Sequence, residues 1–265
     1  MSIDSNITES GRRVAAITGG GSGIGEATAH RLSADGFDVA ILDIDSMRAE
    51  SVARSVTDFG GSTLAIQVDV TSSESVNSAF AAIHSWRKGP DVLVNSAGII
   101  NIAAVTECSL ADFRNVMEVN VTGTFLCAQR AAQGMIEQRY GRIINLASIS
   151  AERAGVGRVA YSASKGAVAS LTRQLAMELG AYGITANSVA PGPIKTAMTR
   201  EHYTPETTQA LESMIPVRRL GNVDEIAHAI AFLSSEGASY VNGIMLAVDG
   251  GYLAAGVNVT GKVHG

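Results

Sequence analysis

Positive charge is in short supply. The 20 Lys and Arg residues stand against 25 Asp and Glu, a formal net charge of −5. That balance gives no electrostatic case for nucleic acid or an anionic membrane as a partner. No apolar run is long enough to span a bilayer, and no apolar core of a signal peptide stands near Met1. The expectation is a soluble, cytoplasmic protein with neither membrane nor nucleic-acid business. Cysteine is scarce too. Cys108 and Cys127 stand nineteen positions apart, within or beside one predicted helix. A helix would hold them about 30 Å apart at its rise per residue, while a disulfide needs Cα atoms within roughly 7 Å. Free thiols are expected, as in a reducing compartment. Without a signal peptide, the N-x-S/T sequons at Asn6, Asn120 and Asn258 read as chance matches. No metal site, linker or internal repeat is expected.

What is present is a chain able to bury a core: 265 residues, 46% hydrophobic and 17% charged. Apolar runs alternate with helical periodicity. Val14–Ile17 reads as a strand, and Ala27, Ala29 and Leu32 mark a helix that closes near Asp35-Gly36. Strands follow at 37–44, 64–68 and 91–94, with helices over 46–58 and from a cap at Thr71 or Ser72 to about Trp86. This alternation predicts a parallel sheet with helices on both faces and ligands at the carboxyl ends of the strands. A long helix is expected over 110–138, strands over 141–146, 184–190 and 244–248, and a helix over 223–233 capped by Asn222 or Asp224. Residues 195–216 have little apolar periodicity and read as a mobile lid. The expected organisation is a disordered lead over 1–11, one domain over 12–252 and a polar flexible tail over 253–265.

Chemistry-bearing residues cluster at the expected strand ends. Thr18-Gly19-Gly20-Gly21-Ser22-Gly23-Ile24-Gly25 joins the first strand to the first helix. Glycines let backbone N–H groups approach a pyrophosphate, and a helix N-terminus supplies partial positive charge; the alternative is a tight turn with no ligand. Asp43 ends the second strand about 20 residues past that turn, where a carboxylate accepts hydrogen bonds from an adenosine ribose; otherwise it is a loop acid. Asn120 interrupts an apolar stretch and, if buried, must hydrogen-bond something, locally across the helix if nowhere else. Ser148 lies thirteen residues before Tyr161 at a strand end and equally suits a plain strand-end serine.

Tyr161 and Lys165 are one turn apart on one helical face. An ammonium so close favours the phenolate, so the phenol's pKa is expected below its free value of about 10. Such a phenol suits general acid/base work. Further along, Val168, Leu171, Leu175 and Leu179 read as a buried stripe, while Gly166, Ala167, Ala169 and Ser170 are small enough for another helix to approach. Ile100, Ile149, Ala151, Gly155 and the lid are expected to shape a mostly apolar pocket, with Arg153, Arg158 and His202 leaving room for a carboxylate or polyol. His202 itself reads as a solvated lid residue rather than a catalyst.

With these residues in place, the chain resembles the short-chain dehydrogenase/reductase family over about Arg12 to Tyr252. The marks are Thr18-Gly19-x-x-x-Gly23-x-Gly25, Asp69-Val70, Asn95-x-Ala97-Gly98, Asn120, Ser148, Tyr161-x-x-x-Lys165 and Pro191-Gly192. Ser96 departs from the family's usual second Asn. The resemblance implies an α/β, single-domain Rossmann fold with a doubly wound, parallel, seven-stranded sheet. It also implies a homotetramer or dimer, with the helices over 110–138 and 160–182 in contact. Residue by residue, it makes Tyr161 the general acid/base, with Lys165 lowering its pKa and holding the nicotinamide ribose. Ser148 would bond the substrate oxygen, and Asn120 would hold a water linking Lys165 to solvent. Gly19, Ser22, Gly23, Ile24 and Gly25 would line the pyrophosphate, and Asp43 would bind the adenosine ribose. Asp69 and Val70 would flank the adenine, and Asn95, Ala97 and Gly98 would steady the next strand end. Pro191 and Gly192 lead to Ile194 and Thr196, which would touch the carboxamide. Ile100, Ser148, Ile149, Gly155 and His202 are the substrate-side candidates.

The implied activity is NAD-dependent transfer of hydride between nicotinamide and a small secondary alcohol or ketone. NAD is preferred because Asp43 would repel the extra phosphate of NADP, and the positions where NADP-preferring relatives carry a cation are Ile44 and Ser22, leaving no nearby cation. The alternatives are a 3-oxoacyl-acyl-carrier-protein reductase, usually NADPH-preferring, and a non-catalytic dinucleotide-binding module. The second has no need of the Asn120, Ser148, Tyr161 and Lys165 set.

Overall fold

The computed structural model describes residues 11–58, 62–196, 199 and 203–256. Seven strands form one sheet: β1 Val14–Thr18, β2 Asp38–Asp43, β3 Thr63–Gln67, β4 Val92–Asn95, β5 Gly141–Leu146, β6 Ile184–Pro191 and β7 Met245–Val248. Their order is β3-β2-β1-β4-β5-β6-β7, and every pairing is parallel. The order reverses between β1 and β4, and register aligns Thr18 with Asn95 and Asn95 with Asn145. A crevice therefore opens above the carboxyl ends of β1, β4 and β5, the place where such sheets take ligands.

Helices cover both faces, which explains why β1 and β4 read as continuous apolar runs. These helices are α1 Gly23–Ala34, α2 Ser46–Asp58, α3 Ser73–Trp86, α4 Leu110–Met117, α5 Gly123–Gln138, α6 Val159–Leu179, α7 Pro205–Met214 and α8 Val223–Ser234. Successive strand residues point to opposite faces. Ala16, Ala40, Leu42, Leu93 and Ile143 pack with Phe80 and Ile83 of α3 and Met135 of α5. Ala15, Ile17, Ile41, Val94 and Ile144 pack with Leu32 of α1, Val52 of α2 and Ile226 and Ile230 of α8. Each fully buried side chain of this size contributes about 1.5–3 kcal/mol of transfer free energy.

Four expectations change. The helix expected over 110–138 is interrupted by a π-helical turn at Glu118–Thr122. Asn120 is the cause: its side chain reaches out to backbone beyond β4, and the Thr124 hydroxyl donates back to the Asn120 carbonyl at 2.8 Å. The stripe buried on α6 is Ser164, Lys165, Val168, Ala169, Thr172, Ala176 and Leu179; Leu171 and Leu175 are only half-buried. Polar residues occupy the core-facing line because they serve the site. Ala169 is buried with them, whereas Gly166 faces open space and Ser170 is exposed. Residues 195–216 carry a regular helix, α7, whose cap Thr204 accepts from the Thr207 N–H; His202 lies outside the described residues. Among the described residues, no helix is long and apolar enough to cross a membrane, and both cysteines are free.

Candidate active site

A cavity of about 1010 Å³ runs along the strand ends and is lined by the segments that follow β1 to β6. At one end it meets Gly19, Ser22, Gly23 and Ile24, with Asp43, Asp69 and Val70 beyond them. Ala97, Gly98, Pro191, Gly192, Ile194 and Thr196 line its middle, and Ile100, Ser148, Ile149, Gly155, Tyr161 and Lys165 its other end. Gly25, expected to line the pyrophosphate, stands behind the wall, as do Asn95 and Asn120, expected to steady a strand end and to hold a water.

The reasons are steric and polar. A Cβ on Gly25 would sit 2.1 Å from the Gly19 carbonyl oxygen, so this glycine lets α1 start directly beneath the turn. Gly19, at φ +63, brings the turn against the backbone of Ala97, where an added Cβ would lie 2.8 Å away. Asn95 is buried and its Nδ2 donates to Asn145 Oδ1 at 2.9 Å; Asn145 Nδ2 in turn donates to Thr172 Oγ1 at 2.9 Å. That buried polar chain pins β4 and β5 to α6 beneath the site.

Asn120 spends its side chain on protein. Oδ1 accepts the Ile99 N–H at 2.8 Å, and Nδ2 donates to the Ile99 carbonyl at 3.0 Å and to Ser164 Oγ at 2.9 Å. Both amide hydrogens are used within the protein, so the side chain clamps the loop beyond β4 to α6. Ser164 is one of the spacers within Tyr161-x-x-x-Lys165, and nothing in the sequence marks it.

The acid at the end of β2 is held firmly. Asp43 Oδ2 accepts the Gly21 N–H at 2.9 Å and Oδ1 the Asp45 N–H at 3.0 Å. The expectation of no nearby cation is wrong. Arg48, from the first turn of α2, lines the same end of the cavity, and a Cβ on Gly21 would touch both Arg48 and Asp43. Neighbours three-dimensionally, they are separated in sequence by a turn that had to be folded to be read. Arg48 Nε pairs with Asp45 Oδ2 at 3.2 Å, so the corner holds two carboxylates and one guanidinium and stays net negative.

At the far end Ser148 is buried, Lys165 is buried, and Tyr161 presents part of its ring to the cavity. Lys165 Nζ donates to the Leu146 carbonyl at 2.6 Å, and burial pulls its pKa down to about 8. Tyr161 is raised, not lowered. Removal of its hydroxyl from water is the largest cause; the Ser148 hydrogen bond and the Arg158 charge act the other way. The ammonium stands 5.7 Å from the ring centroid and is engaged with Leu146, so the expected lowering by Lys165 does not prevail. The arrangement brings a phenol, a serine hydroxyl and an ammonium to one cavity wall, equipment for moving a proton to or from an oxygen. Tyr203 and Leu211, from the segment expected to shape the pocket, also line this end, as do Asn115 and Tyr252, to which the sequence assigns no role.

Three comparisons bear on this geometry. A family model described as Enoyl-(Acyl carrier protein) reductase matches residues 19–253. The 3-oxoacyl-acyl-carrier-protein reductase FabG of Aquifex aeolicus is 38% identical over 240 residues, 90% of this chain and 96% of the relative. The D-threitol dehydrogenase of Mycolicibacterium smegmatis is 35% identical over 252 residues, covering 95% and 96%. Among solved structures, a short-chain type dehydrogenase/reductase from Mycobacterium marinum superposes with a TM-score of 0.88 at 33% identity, covering 92% and 96% of the two chains.

Proposed function

The chain belongs to the short-chain dehydrogenase/reductase family of oxidoreductases, and on that premise we propose that it moves a hydride between NAD and a secondary alcohol or ketone. The observation that carries this reading is the continuous cavity from the glycine turn to the Ser148, Tyr161 and Lys165 wall. The dinucleotide fits the residues present. Gly25 lets α1 start directly beneath the turn, and Gly19 and Gly23 bring bare backbone to the cavity beside it, a surface that suits a pyrophosphate. Gly19, Ser22, Gly23 and Ile24 would hold the phosphates, Asp43 the adenosine ribose, Asp69 and Val70 the adenine, and Ile194 and Thr196 the carboxamide. The bound nicotinamide supplies hydride chemistry.

The protein's part is position and protons. Ser148 orients the substrate oxygen, and Tyr161 gives it a proton in reduction or takes one in oxidation. Lys165 fixes the wall by its bond to Leu146 and holds a positive charge beside Tyr161. A phenol raised by burial is protonated at neutral pH, the form that reduces ketones; alcohol oxidation needs the phenolate and climbs with pH.

A second reading, a 3-oxoacyl-acyl-carrier-protein reductase, is favoured by the FabG relative. The net charge of −5 counts against an acidic carrier-protein partner. Both readings share the chemistry of Tyr161, and one variant tests it. Tyr161→Phe keeps the ring and removes the proton. Steady-state turnover should fall at least about a hundredfold, with NADH affinity by fluorescence titration little changed. Near-normal turnover would sink the assignment.

A further inference from the structure

Among the described residues, four cations line the cavity, and three are engaged. Arg48 pairs with Asp45, Lys165 donates to Leu146, and Arg153 donates to the Tyr252 and Ala255 carbonyls at 3.4 Å each, holding that segment against the cavity. Arg158 differs. Among the described residues its guanidinium makes no hydrogen bond or ion pair, yet it lines the substrate end.

Its position is built rather than loose. The Arg158 N–H donates to the Gly155 carbonyl at 3.3 Å, its carbonyl accepts the Ser162 N–H at 2.7 Å, and its backbone bridges Ala103. The aliphatic stem passes over Gly155, where an added Cβ would meet Arg158 Cδ at 3.1 Å. The head lies close enough to Tyr161 for its charge to act on the phenol. Among the described residues, the acids lining the cavity are Asp43 and Asp69, both at the opposite end. An uncompensated guanidinium in a partly dry site is a standing demand for an anion, and its planar fork matches a carboxylate.

We propose that Arg158 is the specificity-determining anchor for an acidic substrate: a hydroxy acid or oxo acid whose carboxylate pairs with Arg158 while its reacting carbon meets Ser148 and Tyr161. This rests on the reaction proposed above. Oxidation sends the carbinol hydride to the nicotinamide and the hydroxyl proton to Tyr161, and the carboxylate takes no part. Ile100, Ile102 and Val156 line the same end and give the carbon chain an apolar wall.

The test separates charge recognition from turnover. The NADH-loaded protein is titrated calorimetrically with the C2 to C6 straight-chain carboxylates and with their amides, for wild type and for Arg158→Gln. A hydrogen-bonded charge pair gives the acid of best length an advantage of about tenfold to a hundredfold over its amide. Arg158→Gln should erase most of that advantage, and Arg158→Lys should restore part of it. Equal binding of acids and amides by wild type, or an advantage that survives Arg158→Gln, overturns the anchor. In parallel, kcat/KM is compared for 3-hydroxybutanoate and its methyl ester. A fall in the acid-to-ester ratio in Arg158→Gln, carried by KM, supports it. Equal losses on both substrates would mean that Arg158 serves only Tyr161. If wild type oxidises neutral alcohols as readily as acids, the redox reading stands and the anchor fails. If neither is oxidised, the redox reading fails with it.

Discussion

The two ends of the cavity were built by different means. At the dinucleotide end the decisive residues are neighbours in sequence: a glycine turn leads straight from β1 into α1, and Asp43 is the last residue of β2. At the substrate end they come from the loop after β4, from α4, from the 149–158 loop, from the approach to α7 and from Tyr252. The first end depends on local backbone geometry, which a sequence states directly. The second depends on tertiary packing, which it does not. Substrate choice is free to vary on one side while the cofactor cradle is held by sterics on the other.

The sharpest way to break that contrast is at Asp43. On the function proposed above, its carboxylate would accept hydrogen bonds from the ribose hydroxyls and repel the extra phosphate of NADP. Arg48 stands nearby, but Asp45 holds it, so the repulsion survives in reduced form. Like-charge juxtaposition of this kind is worth up to several kcal/mol, about a hundredfold in preference. Ile44 lines the cavity and is 64% exposed, so an arginine there has room. Asp43→Ser with Ile44→Arg should reduce or reverse the preference for NAD, read as kcat/KM for both cofactors with one alcohol. Equal or better use of NADP by the unmodified protein would refute the role given to Asp43.

A smaller effect sharpens the steric half of the comparison. Gly25→Ala drives a methyl into the Gly19 carbonyl oxygen, backbone against backbone, with no flexible side chain to yield. Overpacking of this kind costs about 1–3 kcal/mol. If α1 moves off the turn, NADH affinity falls by roughly tenfold to a hundredfold, while Gly166→Ala, which meets open space, should leave it alone. A Gly25→Ala protein that binds NADH normally would show that the close approach is not needed.

Legibility follows the same division. All seven strands and the sheet's parallel sense were readable: the inner strands such as β1 and β4 are buried on both faces and read as short continuous apolar runs, and the half-buried edge strands β3 and β7 still carry apolar runs between helical segments. The π-helical turn was not, because Asn120 breaks the helix only by reaching Ile99, a contact made across the fold. Leu171 and Leu175 misled for a related reason. Periodicity ranks side chains by apolarity, whereas α6 turns Ser164, Lys165 and Thr172 inward to serve hydrogen bonds. Arg48 escaped because its nearness to Asp43 depends on how α2 leaves β2.

The last and smallest effect concerns the stability of the site rather than its chemistry. Burial lowers the Lys165 pKa from 10.5 to about 8. Between those values the folded protein binds fewer protons than the unfolded chain, so this residue's contribution becomes more favourable as pH rises through that window. Below about pH 8 both states are protonated and the burial penalty is at full size, about 3 kcal/mol at roughly 1.4 kcal/mol per unit of pKa. Lys165→Met removes that penalty. It also leaves the Leu146 carbonyl without its donor, which costs about 1–3 kcal/mol. The two nearly cancel at neutral pH, so the melting temperature should stay within about 4 °C of wild type although turnover collapses. The difference between the two proteins should then drift in favour of wild type as pH is raised from 7 to 10, because the penalty that the variant escapes fades in wild type. Thermal melts of both proteins across that range decide it. A constant difference would mean that the ammonium is not held at a cost, and that Lys165 keeps an ordinary pKa in its place beneath Tyr161.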